Sequence, residues 1–100
     1  MIKYDNIEYF DDPIYKKLTE IQQGDVIYTE FGNYGNYIQA IFDNFEKTKS
    51  NMSKISFHYS DGSFDEMYGF LYTDPTEYKI IGKEIQKWQK KSMKIPIIQQ

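Results

Sequence analysis

The sequence predicts an α+β domain: a small, strongly bent antiparallel sheet or partly open barrel of about five strands, flanked by an N-terminal and a C-terminal helix. Three observations predict it. Aromatic residues make up 18% of the chain while alanine occurs once, at Ala40, which favours strands over a helix bundle. Short apolar runs alternate with turn signals through the middle of the chain. Stripes of helical period stand at the two ends. With 100 residues and neither linker nor repeat, residues 1–100 read as a single domain.

Residues 2–10 read as a short strand or irregular arm. Asp11-Asp12-Pro13 reads as a helix start, because Asp caps free N–H groups and Pro suits the first turn. Ile14, Leu18 and Ile21 then form one apolar stripe, which places a helix over 13–23, ended by Gly24. Strands of the barrel follow over 26–81. Val26 to Phe31 alternates, and Gly32 to Asn36 (GNYGN) breaks it. Tyr37 to Phe45 fits either a helix or a strand. The strand is preferred, since an aromatic and β-branched run after a glycine turn pairs back on its predecessor. Ile55 to Tyr59 and Phe64 to Tyr72 form a hairpin about Asp61-Gly62. Thr73-Asp74-Pro75 turns the chain into a last strand at Tyr78 to Ile81. Lys83 to Lys94 is expected as a helix with Ile85 and Trp88 facing inward, and 95–100 as an extended tail.

The pattern I-x-x-G-D-V-I-Y, Ile21 to Tyr28, leads this set of short strands. It resembles the opening of SH3-like barrels, a resemblance that covers residues 21–81. What it implies is architecture alone, for such a fold hosts many functions.

Charge and composition exclude several functions. All 12 basic residues are lysine, and the net charge is −3. A reader of DNA sequence without arginine, the residue that grips guanine and phosphate bidentately, is not expected. The chain has no cysteine, hence no disulfide, thiolate metal site or thiol nucleophile. No apolar run approaches a membrane span, and MIKYDNIEYF lacks the order of a signal peptide, so a cytoplasmic protein is expected.

The glycines of GDVIYTEFGNYGNYI, Gly24 to Ile38, raise the question of a phosphate loop. A phosphate loop wants Lys-Ser/Thr after its glycines, whereas Asn36-Tyr37-Ile38 follow Gly35, and the G-x-x-G spacing is not the dinucleotide fingerprint. The stretch therefore reads as a turn. His58 is the sole histidine and makes no zinc site without several carboxylates. Asp61, Asp65 and Glu66 lie near it in sequence, but strand alternation lets only one of the last two share its face. Ser53, Ser56, Ser60 and Ser63 lack a nucleophile motif, and Asp11 and Asp12 are explained by capping. No catalytic residue, metal or cofactor is assigned.

Binding is better supported than chemistry. Ten tyrosines exceed what a core of this size holds, so several are expected at the surface, where Tyr gives large contact area at low entropic cost. Residues 1–47 carry nine acids against four lysines, and 48–100 six acids against eight lysines. The expected function is a non-catalytic protein-binding module, with Tyr34, Tyr37, Asp25 and Glu30 as contact residues. Abundant Ile, Lys, Asn and Tyr indicate AT-rich coding DNA and an origin in a phage or mobile element, acting as a modulator or inhibitor of a host protein. The alternative is nucleic-acid association through Lys87, Trp88, Lys90, Lys91 and Lys94. The apolar tail also offers a route to a homodimer.

Overall fold

Apolar and polar residues alternate along Ser53–His58, and the alternation is realised as a strand: Ser53, Ile55 and Phe57 are buried, while Lys54, Ser56 and His58 are half-buried. Such strands need neighbours. The computed structural model, which describes residues 1–30, 35–48, 52–70 and 73–85, joins them in one sheet of six antiparallel strands. In chain order these are β1 (Ile7–Lys16), β2 (Asp25–Thr29), β3 (Ile38–Lys47), β4 (Ser53–His58), β5 (Phe64–Gly69) and β6 (Tyr78–Glu84). Across the sheet they run β1-β6-β2-β3-β4-β5. The five stretches read as strands from sequence each overlap one of β2 to β6, and Ile38 to Phe45 enters β3 rather than a helix.

The sheet buries apolar side chains on both faces. Ile27, Ala40, Phe42, Ile55, Phe57 and Ile80 share the first face, covered by Leu18 and Ile21. Ile7, Val26, Ile41 and Ile81 form a smaller cluster on the second face, with Tyr9 and Tyr28 packed against it. The strands in the middle of the order are therefore buried on both sides, as the run Ala40, Ile41, Phe42 requires.

Two parts of the expected architecture are corrected. The fold is an open, all-β sheet among the described residues rather than an α+β barrel between helices, because β1 and β5 end the strand order and do not pair. The helix over 13–23 does not form. Ile14, Tyr15 and Lys16 pair with Ile80, Lys79 and Tyr78 in β1, and only a 3₁₀ turn at Leu18–Glu20 follows. Between the pairs Tyr9↔Gly82 and Ile14↔Ile80 the register shifts, so residues 10–13 bulge out opposite Ile81. Pro13 sits in that bulge on an edge strand, where it withholds no ladder hydrogen bond. Ile14, Leu18 and Ile21 do not form one buried stripe: Leu18 and Ile21 are 3% and 4% exposed over the first face, and Ile14 is 45% exposed on β1. Tertiary burial overrides the helical period.

At the other end, Lys83 and Glu84 belong to β6, and the Ile85 N–H donates to the Asn6 carbonyl at 2.7 Å, so the expected helix over 83–94 does not begin there. Its remainder and the tail at 95–100 lie outside the described residues. The Asp61-Gly62 hairpin joins β4 to β5 with Gly62 at φ 89°. Asp61 Oδ1 accepts from the Ser63 N–H and hydroxyl and stiffens the turn.

Candidate functional site

Tyr28 follows Val26 and Ile27 on β2 and reaches the end of the sheet where β3 begins. Its ring lies 5.1 Å from that of Tyr37, tilted by 36°. Lys79 Nζ stands 5.8 Å above the Tyr28 ring, a cation–π contact. Three clefts meet at Tyr28. The first, about 330 Å³, is lined by Tyr4, Tyr28, Tyr37 and Tyr59 together with Met1, Ile2, Ile38, Gln39, Ser60 and Asp61. The second, about 450 Å³, lies between Tyr28, Tyr37, Tyr78 and Lys79. The third, about 310 Å³, runs along the N-terminal arm past Lys3, Tyr9, Phe10 and Pro13.

The arm is fixed in place from the sheet. Gln39, 9% exposed, donates from Nε2 to the Ile2 carbonyl at 2.6 Å and accepts from the Tyr9 hydroxyl at 2.6 Å. That hydroxyl also accepts from the Tyr4 N–H at 3.0 Å. Tyr4 is thereby held at the rim of the first cleft. Deeper in, burial and the hydrogen bond to Asp65 push the Tyr59 phenol up to about 12, so it stays neutral. Ser60 Oγ is buried and has no hydrogen-bond partner among the described residues.

The contact residues expected from sequence separate here. Tyr37 is 57% exposed on the cleft rim. Glu30 accepts the Gly35 N–H at 3.1 Å and braces the glycine loop. Tyr34 lies outside the described residues, as do Lys87, Trp88, Lys90, Lys91 and Lys94. Asp25 is 2% exposed and sits elsewhere, with Lys16 Nζ at 2.8 Å, Lys83 Nζ at 3.2 Å and the Gln22 N–H at 2.8 Å. Burial pushes its carboxyl up, but the hydrogen bonds from Lys16, Gln22 and Lys83 outweigh this and hold it below the ordinary value. Asp25 thus ties β1, β2 and β6 together and presents no carboxylate to a partner.

Asp61, Asp65 and Glu66 lie near His58 in sequence, but the structure sets other carboxylates against it. Nδ1 stands 2.8 Å from Asp43 Oδ1, and Nε2 stands 2.8 Å from Glu84 Oε2. The register shift between Phe42 and Asn44 makes Asp43 the extra residue of a bulge, which aims it at His58. Glu84 reaches over from β6 past Gly24, whose N–H and carbonyl bridge Phe42 and Glu84 without a side chain in the way. Burial lowers the imidazole, but the Glu84 hydrogen bond and the charges of Asp43 and Glu84 more than reverse this, and its pKa is raised. Each ring nitrogen faces a carboxylate oxygen, an arrangement that favours the imidazolium, in which both nitrogens donate.

Among the described residues, no group of three or more His, Asp or Glu side chains is arranged to hold a metal ion, and no helix is long and apolar enough to cross a membrane. Compared with known protein families, with curated protein sequences and with solved structures, the chain matches none.

Proposed function

We propose that this chain is a non-catalytic protein-binding module whose contact surface is the tyrosine-lined end of the sheet around Tyr28 and Tyr37. One observation carries this reading: three clefts converge on Tyr28, two of them also lined by Tyr37, which is 57% exposed. Rigid aromatic side chains at the rim of preformed clefts give contact area at little entropic cost, the pattern of residues that dominate interfaces. Tyr4 and Lys79 flank the same clefts and extend the surface to both sides of Tyr28. Glu30 supports it indirectly, by accepting the N–H of Gly35, two residues before Tyr37. The composition of the chain favours a cytoplasmic phage or mobile-element protein that binds and modulates a protein of its host.

The test is a pull-down with tagged protein from lysate of a low-GC bacterium, at low and high salt, with and without nuclease. We expect a protein band that survives salt and nuclease and disappears with the double substitution Tyr4→Ala and Tyr37→Ala, while the circular dichroism spectrum is unchanged. A band retained by the double variant overturns the assignment of the surface. Recovery that vanishes with nuclease or salt instead selects nucleic acid and the C-terminal lysines, because phosphate contacts weaken steeply with added salt.

A further inference from the structure

The two strands that end the sheet differ in how they treat a newcomer. The edge of β1 is interrupted by the bulge at residues 10–13, with Asp11, Asp12 and Pro13 in it. Such features blunt an edge. The edge of β5 is regular: every residue from Phe64 to Gly69 pairs in unbroken register with β4, and among the described residues no strand lies on its outer side. Phe64, Tyr68 and Phe70 are 81%, 54% and 52% exposed along it.

Backbone direction along β5 follows from the hairpin. The Tyr59 N–H donates to the Ser63 carbonyl at 2.9 Å, so Ser63 turns its polar groups toward β4. Alternation then turns Asp65, Met67 and Gly69 inward and Phe64, Glu66, Tyr68 and Phe70 outward. The Glu66 N–H agrees, since it points off the sheet and is held only by the side chain of Asp65 at 2.8 Å.

We propose that the outer edge of β5 is a two-fold symmetric interface at which a second copy of this chain adds its own β5, antiparallel and centred on Met67. Antiparallel partners must turn their amides the same way, so the dyad falls on a residue and never between two. Centred on Asp65 or Glu66, it sets a carboxylate directly against its own copy, which is destabilising. Centred on Tyr68, it leaves Phe64 unpaired among the described residues. Centred on Met67, it sets Phe64 against the partner's Phe70, whose carbonyl also accepts the Asp74 N–H at 3.0 Å, Asp65 against the partner's Gly69 and Glu66 against the partner's Tyr68. No acid then opposes an acid, the exposed rings of Phe64 and Phe70 meet across the seam, and Lys54 lies 3.9 Å from Glu66 to offset its charge. Met67, packed against the first-face core, meets its own copy and carries that core across the dyad.

Sedimentation of the full chain across a concentration series tests this. We expect the mass to rise from 12.0 kDa toward twice that value. Tyr68→Pro removes an outward N–H without touching the β4 ladder, so it should restore the monomer and leave the circular dichroism intact. Because the chain has no cysteine, single-cysteine variants report the register. Met67→Cys should form an interchain disulfide at least about tenfold faster than Glu66→Cys or Tyr68→Cys, since only residues at the dyad bring their Cβ atoms within disulfide reach. A monomer at every concentration overturns the proposal. So does a dimer that survives Tyr68→Pro, one that cross-links fastest at Glu66 or Tyr68, or one that is lost on deleting residues 95–100.

Discussion

Replacing Gly82 with alanine probes β6, second in the strand order between β1 and β2. A methyl there would stand 2.6 Å from the Glu8 carbonyl oxygen, 3.0 Å from Ile7 Cγ2 and 3.1 Å from Tyr9 Cα. Ordinary contact begins at 3.4 Å, so the Glu8 carbonyl has to retreat by about 0.8 Å. That oxygen is backbone within the pairs Glu8↔Lys83 and Tyr9↔Gly82, and it has no rotamer through which to move aside. Overpacking of this kind costs about 1–3 kcal/mol. For a domain of this size that lowers the melting temperature by about 4–24 °C. Gly69→Ala is the internal control, because its methyl would meet Ile55 Cδ1 at 3.6 Å and Leu18 Cδ1 at 3.8 Å, which is ordinary packing. We expect Gly69→Ala to melt at or above the wild-type temperature, gaining up to about 1 kcal/mol from a less flexible unfolded chain. Thermal unfolding by circular dichroism compares the three proteins, and amide exchange localises the damage to residues 7–9 and 82–84. Equal melting of Gly82→Ala and Gly69→Ala would refute the β1–β6 register.

Two further substitutions read the charged groups. The raised pKa of His58 stabilises the fold fully below its ordinary value of 6.5, and that stability is lost as pH rises through the folded value. Urea midpoints at about pH 6 and about pH 9 should therefore differ more in wild type than in His58→Gln, and equal slopes would remove the clamp as a source of stability. Asp25→Asn deprives Lys16 and Lys83 of their shared carboxylate and should cost about 1–3 kcal/mol in urea unfolding at neutral pH. Since the Asp25 carboxyl is held below 3.8, its contribution is present above that value and is lost as pH falls through the folded pKa. The variant should accordingly show a flatter acid limb, and an unchanged one would mean that the lysines do not hold the carboxylate.

What could be read from the chain was whatever depends on near neighbours. The alternation through Ile55 and Phe57, the Asp61-Gly62 turn and the return strand at Phe64 are short-range patterns, and each lies where its period places it. β1 was misread because Asp-Asp-Pro carries two meanings. It is a helix start when a helix follows, and an edge bulge when a strand such as β6 waits on one side. The partners of His58 and Asp25 were hidden for a different reason. Asp43 and Glu84 lie 15 and 26 residues from His58, and Lys83 lies 58 residues from Asp25. Only the strand order brings them together. Tyr37 is 57% exposed, as the surplus of tyrosine led one to expect of several such residues, but two of the three clefts on Tyr28 depend on Lys79, which belongs to the last strand.

Placing the last described strand between the first two has a consequence in time. β2 to β5 pair with successive neighbours, so each can zip onto the one before it as soon as both exist. β1 has no such option, for its only partner among the described residues is β6, and the pair Ile7↔Glu84 spans nearly the whole described chain. A nascent polypeptide leaving the ribosome can thus assemble a four-stranded meander while its first strand waits, with Ile7 and Tyr9 in water, for the arrival of Ile80 and Ile81. Closure of that gap is a single late event that completes both clusters of core residues at once, and the ordering of the chain's beginning is governed by the synthesis of its end.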